Sequence, residues 1–321
     1  MLLITEKIAT DLLSISDVKT SIINALEQQA KDQVSQSEPR SLFLNSNDKS
    51  NRYHVKGAYL SKDLVVGFRV REYSHIPTHS AEMQLILLSH LKTAAFLGLV
   101  SCDRLSELRY GVMVALTIQS LRKSSSKKLA LIGAGNLARA AMQAIQEISP
   151  FRSVRVASRS KITRKRFCEE MAANGIPNIK PAASIERACH GADVILTITN
   201  AEAQLIKNIW CNPGSLLVTT GGRQECEPDA ILKADKIFID DWDQCTVLGD
   251  LATLYMQDKF GPENVTATLA EAITARHPGR EKDTERIVAV PQGLTSLDVA
   301  LAFSIFQIAM KENLGTNVEW P

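Results

Sequence analysis

The chain has 321 residues, with 37 Lys plus Arg against 35 Asp plus Glu and a formal charge of +2 at neutral pH. That length exceeds the usual single domain, so two domains are expected, each large enough for its own core. The near balance of charge leaves no field able to gather nucleic acid or anionic lipid, which sets aside a polyanion or a membrane as partner.

The opening MLLITEKIATDLLS starts apolar but carries Glu6 and Asp11, and it lacks a basic leader and a small-residue cleavage site, so it does not read as a signal peptide. No stretch approaches the roughly 18 apolar residues of a spanning helix. Cys102, Cys168, Cys189, Cys211, Cys226 and Cys245 are scattered without a CxxC pair and read as reduced, mostly buried thiols. No His/Cys/Asp/Glu spacing supports a metal. A cytoplasmic protein without a structural metal is expected.

A helical pattern runs from about Ser16 to Gln33, followed by short β-type runs at Arg40 to Leu44, Tyr53 to Leu60, Leu64 to Val70 and Met83 to Leu88, which together make an α+β block. LSELRYGVMVALTIQSL, beginning at Leu105, predicts a helix with Ser106 as N-cap and Arg109 in its first turns. The polar, Ser-rich stretch LRKSSSKK at 121–128 reads as a linker and marks a domain boundary. Beyond it, LALI, VRVAS, VILTIT, SLLVTT and KIFID are β-branched runs separated by helical segments, as in a parallel sheet with right-handed crossovers. The last helix, Ser296 to Lys311, is apolar on most faces; it is expected to be buried and to return to the first domain.

Gly133, Ala134, Gly135, Asn136, Leu137 and Ala138 follow a strand and open a helix, the context in which a GxGxxG/A match carries weight for dinucleotide binding. Gly133 allows the tight turn, Gly135 lets the backbone approach a pyrophosphate, and Ala138 permits close packing, while the helix N-terminus offers free N–H groups. The bland alternative is a Gly-rich turn that binds nothing. At the end of the second strand an Asp or Glu would accept from both ribose hydroxyls, yet Ser158 stands there and Arg159, Ser160 and Lys161 follow, with Arg164 on the same segment. A planar cation, a hydroxyl and a point charge suit a 2′-phosphate, so NADP(H) is expected over NAD(H). A solvated basic helix start is the competing reading.

At this point the sequence resembles the ornithine cyclodeaminase/mu-crystallin family, in the family's own order over nearly the whole chain. The resemblance rests on Pro39-Arg40-Ser41-Leu42, Lys56-Gly57-Ala58-Tyr59-Leu60, Gly67-Phe68-Arg69-Val70, Leu108-Arg109-Tyr110-Gly111, the Gly-rich loop, Ala192 to Thr197, Gly221-Gly222 and Asp298. It implies an α/β fold, a Rossmann-type doubly wound parallel sheet (121–295) plus an α+β substrate and dimerisation domain (1–120 and 296–321), usually as homodimers. It further implies that Arg40 and Arg109 hold a substrate carboxylate, and that Thr197, Thr199, Gly221 and Asp298 belong to the cofactor side.

Two positions depart from the family. Its substrate-facing lysine is Arg69 here, which stays protonated and so suits carboxylate binding or polarisation rather than a general base. Lys56 on the preceding strand offers a titratable amine in its place, or is a solvent-facing strand residue. The aspartate that follows the paired glycine in cyclodeaminases is Arg223, a cation that should repel an ornithine side chain, with Glu225 or Glu227 as partial substitutes. His75 and His79 straddle Pro77 on a loop; His79 is a candidate proton donor or plain polar surface.

The leading expectation is an NADPH-dependent reductase acting on the C=N bond of a small imino acid or ketimine, or on a 2-oxo acid plus amine. Its candidate catalytic residues are Lys56, Arg69 and His79, and its substrate-binding residues Arg40, Lys56, Arg69, Arg109 and Arg223. A cyclodeaminase-type ammonia lyase with tightly held cofactor and a non-catalytic NADPH-binding protein remain as alternatives.

Overall fold

A computed structural model describes residues 1–47, 51–74, 83–220 and 222–319. His75, His79 and Gly221 lie outside the described residues. The chain divides into two compact units, Met1–Arg109 with Leu294–Pro321, and Tyr110–Gly293.

The first unit is built on an eight-stranded sheet. Its strands are β1 (Leu2–Ile4), β2 (Val34–Gln36), β3 (Leu42–Asn45), β4 (Asn51–Leu60), β5 (Val65–Ser74), β6 (Gln84–His90) and β7 (Phe96–Ser101), with Thr316–Asn317 at one edge. Among the described residues of this sheet only β1 and β7 run parallel; β3 and β2 both pair with β4. Alternation decides what each face does. Ala58, Leu60, Val65, Ile86, Leu88 and Val100 are buried beneath α2 (Ile15–Gln29) and the C-terminal helix Thr295–Lys311. Ser14 caps α2 through a capping box with Asp17, which starts the helix at Ile15. The C-terminal helix buries Leu297, Val299, Leu301, Ala302, Ile305 and Ala309, so its all-round apolar character reflects burial. It comes so close to the sheet that a Cβ on Gly67 would lie 2.5 Å from Val299. On the other face Tyr59, Phe68 and Phe96 are 38%, 45% and 44% exposed, an apolar surface uncovered among the described residues.

α3 (Asp103–Leu121) carries the chain from one unit into the next. Ser106 lies inside this helix rather than capping it. Glu6, in α1 (Glu6–Asp11), accepts the Asp103 and Arg104 N–H groups at 3.0 and 2.7 Å and satisfies the orphan donors instead. The division between units falls at Arg109/Tyr110, and the Ser-rich stretch at 121–128 is not a free linker. Asp193 fastens it, accepting the Lys127 and Lys128 N–H groups at 2.8 and 3.0 Å and pairing with Lys123 at 3.2 Å.

In the second unit β8 (Lys128–Ile132), β9 (Ser153–Ala157), β10 (Ile179–Pro181), β11 (Val194–Thr197), β12 (Leu216–Thr219), β13 (Lys236–Ile239), β14 (Ala267–Thr268) and β15 (Ile287–Val290) form one parallel sheet. The order is β10-β9-β8-β11-β12-β15-β13-β14, with β15 inserted between β12 and β13. Every residue of β11, β12 and β15 is buried, as in a sheet covered on both faces. The strand order reverses between β8 and β11, so the carboxyl end of β8 is the topological switch point of a doubly wound fold. No described helix is long and apolar enough to cross a membrane, and all six cysteines are free and buried.

Candidate active site

The turn after β8 leads into α4 (Asn136–Ile148), and its two glycines are there for different reasons. Gly133 sits at φ +124°, and a Cβ would lie 2.1 Å from the Ile198 carbonyl oxygen, so the fold itself requires glycine. Gly135 has an ordinary φ of −89° and would meet nothing within 4 Å. Nothing in the protein excludes a side chain there, so the open space suits a ligand's close approach. Gly135 is also the N-cap and provides no side-chain acceptor, leaving the first N–H groups of α4 to an anion. Asn136 and Leu137 are exposed at this mouth, whereas Ala138 is fully buried against the sheet.

The end of β9 carries the residues expected to choose the cofactor. Ser160 caps α5 (Lys161–Ala173) by accepting the Thr163 N–H at 3.2 Å, and Ser158 donates to the Ser160 carbonyl at 3.1 Å. Arg164 is buried and donates to the Ser158 carbonyl at 3.2 Å, so it shapes the strand end. Arg159 and Lys161 are exposed and form no ion pair among the described residues.

A different constellation lies wholly in the first unit. Cross-strand pairing puts Lys56 of β4 opposite Arg69 of β5, so both project from one face. Lys56 is buried, which removes the solvent-facing alternative. The first turn of the C-terminal helix brings in Asp298, and α3 brings in Arg109. The Arg109 Nε donates to one Asp298 oxygen at 2.9 Å and Arg69 donates to the other at 3.3 Å. Arg69 also donates to Gln84, whose amide oxygen accepts the Ser106 hydroxyl at 3.2 Å. Asp298 was expected on the cofactor side, but both its oxygens are engaged by these arginines. Burial alone would raise its carboxyl, but Arg109 and Arg69 outweigh that and hold it below the usual carboxylate range.

One carboxylate does not satisfy this cluster. Among the described residues the Arg109 NH1 and the Arg69 Nε are both buried and without a hydrogen-bond partner, although buried guanidinium donors are normally paired. Arg40 is half-buried, and its guanidinium donates to the Ser37 carbonyl at 3.3 Å.

Residues 1–313 match the model of the ornithine cyclodeaminase/mu-crystallin family. The chain belongs to that family. An alanine dehydrogenase of Archaeoglobus fulgidus is 26% identical over 243 residues, 74% of each chain. An N-((2S)-2-amino-2-carboxyethyl)-L-glutamate dehydrogenase of Staphylococcus aureus is 25% identical over 238 residues, 73% of this chain and 70% of that one. The solved structure of Thermococcus litoralis Δ1-pyrroline-2-carboxylate reductase, in complex with NADH and L-proline, superposes with a TM-score of 0.88 over 99% of this chain and 100% of that one at 22% identity, a likeness of fold.

The departures from the family pattern have structural counterparts. Arg223 is 53% exposed and pairs with Glu202, which is itself 73% exposed. Glu225 does not stand in as a free carboxylate: it is buried and accepts the Thr199 N–H at 2.8 Å and the Thr199 hydroxyl. Asp250 in turn accepts the Glu225 and Cys226 N–H groups, both at 2.8 Å, and the Thr219 hydroxyl. Burial raises both carboxyls. Glu227 accepts the Asn208 N–H at 2.9 Å. Thr197 is fully buried at the end of β11. Gln84 and Asp250 are the participants that the sequence did not announce; neither belongs to a recognisable spacing.

Proposed function

We propose that this protein is an NADPH-dependent oxidoreductase that reduces the C=N bond of a small imino acid or ketimine, including one formed from a 2-oxo acid and an amine. The carrying observation is the buried cation cluster: Arg109 and Arg69 share Asp298 and each keep a buried donor unpartnered among the described residues. A substrate carboxylate supplies the missing acceptor, and two guanidinium edges fix its orientation. The family's dehydrogenase and reductase members, as those relatives are named, support the same chemistry.

In this reading the second unit holds the cofactor and the first unit the substrate. Gly133 to Ala138 take the pyrophosphate, and Arg159 and Lys161, with no acid at Ser158, take a 2′-phosphate. A bound nicotinamide supplies the hydride. Arg109 and Arg69 place the carboxylate so that the imine carbon is presented in a fixed orientation, which lowers the entropic part of the barrier. Lys56, buried opposite Arg69, provides the proton for the nascent amine nitrogen. The exposed Tyr59–Phe68–Phe96 face is the surface on which a second copy would pack. The free thiols suit the cytoplasm.

The test is NADPH oxidation by the purified protein with a cyclic ketimine acid, or with pyruvate plus an amine, run beside ornithine and lysine. Reduction of the imines with NADPH preferred over NADH supports the reading. Ammonia release from the diamino acids without net cofactor turnover makes the protein a cyclodeaminase. NADPH binding without turnover of any substrate makes it a binding protein.

A further inference from the structure

We infer that Glu225 is a positioning residue for the nicotinamide half of the cofactor: it holds the segment 198–201 against the phosphate turn, and Asp250 holds Glu225. This rests on the proposed nicotinamide cofactor and on no particular substrate.

All the groups concerned belong to the second unit. In its sheet β9 and β11 flank β8 on opposite sides. A dinucleotide laid across the carboxyl ends of these strands has its pyrophosphate at the turn after β8 and its adenosine ribose at the end of β9, so its nicotinamide half falls on the side of β11 and β12. The chain leaving β11 is therefore the wall of the crevice on the nicotinamide side. Ile198, the first residue past the strand, donates its N–H to the Ile132 carbonyl at 2.8 Å. Its own carbonyl oxygen lies 2.1 Å from where a Cβ on Gly133 would be. The wall and the phosphate turn are thus in contact, and a shift of one displaces the other.

Asn200, Glu202, Ala203 and Gln204 in this wall are exposed, so packing does not fix them. Glu225 does. One of its carboxylate oxygens accepts both the Thr199 N–H, at 2.8 Å, and the Thr199 hydroxyl, which in turn accepts the Ala201 N–H at 3.1 Å. The Glu225 carbonyl accepts the Leu205 and Ile206 N–H groups at 2.7 and 3.0 Å, so a single residue grips both ends of the loop. Asp250, in the first turn of the helix Gly249–Met256, fixes Glu225 in its turn. It accepts the Glu225 and Cys226 N–H groups at 2.8 Å and the Thr219 hydroxyl at the end of β12. Glu225 is 0% exposed and Asp250 2%. A buried carboxyl costs folding free energy that an apolar side chain would not. The arrangement secured at that cost is one geometry of an otherwise exposed loop beside the cofactor crevice.

The experiment measures NADPH and NADH dissociation constants by calorimetry for the wild type, Glu225→Leu, Glu225→Gln, and Thr199→Val alone and combined with Glu225→Leu. Glu225→Leu removes the acceptor of both Thr199 donors and should weaken the two cofactors about tenfold and to the same degree, because the 2′-phosphate lies at the other end of the dinucleotide. Glu225→Gln keeps an acceptor oxygen and should recover most of that loss. Thr199→Val should weaken binding on its own and add little to Glu225→Leu. A lowered melting temperature with unchanged dissociation constants makes Glu225 purely structural and overturns the inference; so does a loss confined to NADPH. Amide exchange in the wild type decides the matter should Glu225→Leu fail to fold. Opening of the Thr199–Glu225 bond is coupled to cofactor release in this account, so saturating NADPH should slow Thr199 exchange at least about tenfold, and an unchanged rate overturns the inference. Binding of neither cofactor to the wild type defeats the cofactor reading and the inference with it. Cofactor binding that depends on Glu225, without reduction of any imine, supports the inference and defeats the reductase reading.

Discussion

The phosphate loop and the cation cluster solve opposite problems by opposite means. Gly133 to Ala138 is one contiguous turn in which the backbone offers N–H groups to an anion, and its neutral residues bring no buried charge that needs a partner. The Asp298 cluster gathers side chains from β4, β5, β6, α3 and the C-terminal helix, and it holds buried guanidinium groups that one carboxylate does not saturate. The first can be altered at Gly135 without cost to the fold. In the proposed reading the second ties binding to stability, because the same two guanidinium groups serve both through different nitrogens.

Breaking the cluster should therefore have the largest effect. Arg109→Ala removes one partner of a fully buried carboxylate and should destabilise the protein by about 3–5 kcal/mol in denaturant titrations. It should also lower kcat/KM by about 10²–10³-fold in steady-state assays, because the substrate carboxylate loses its best-placed donor. The glycines sharpen the contrast on the other side. Gly133→Ala forces an alanine to φ +124° against Ile198 and should cost at least about 1–3 kcal/mol of stability. Gly135→Ala fills open space, and its melting temperature should stay within a few degrees of the wild type while NADPH affinity by calorimetry falls about tenfold.

Smaller effects separate cofactor choice from structure. Arg159→Ala with Lys161→Ala should raise the KM for NADPH about tenfold and leave that for NADH within about twofold, since both side chains are exposed and form no ion pair among the described residues. For His54 the expected observation is an NMR titration without inflection between pH 5 and 8 in the ligand-free protein. An unfolded imidazole titrates near 6.5, and burial with the charges of Lys56, Arg69, Arg52 and Arg71 pushes the folded ring down to about 3. Between those values the unfolded chain binds a proton that the folded one does not, so this ring makes stability fall as pH drops from about 6.5 to about 3. Arg223→Ala should matter least: its pair with Glu202 is exposed at both ends, and stability should change by less than about 1 kcal/mol.

The same contrast explains what could be read from the sequence. The parallel strands and the glycine turn were legible because their signals are local: continuous β-branched runs and a fixed spacing. Ser106 looked like a helix cap because a serine before an apolar run usually is one, yet the cap is Glu6, 97 residues from Asp103. The hydrophobic pattern of β5 fades at Val70, whereas the ladder continues through Arg71 and Tyr73. The pattern stops where the helical cover stops. Resemblance to the family pointed to Arg109, but the convergence of Arg69, Gln84 and Ser106 with Asp298 has no signature in spacing, because five elements must fold before it exists.

The most direct measurement is a crystal structure of the protein with NADP⁺ and a bound amino acid product such as L-aspartate. The expected result is a substrate carboxylate accepting from Arg109 NH1 and Arg69 Nε while Asp298 keeps its two arginines. A carboxylate bound elsewhere, with those two donors still unpartnered, would contradict the assignment of the cluster to substrate binding.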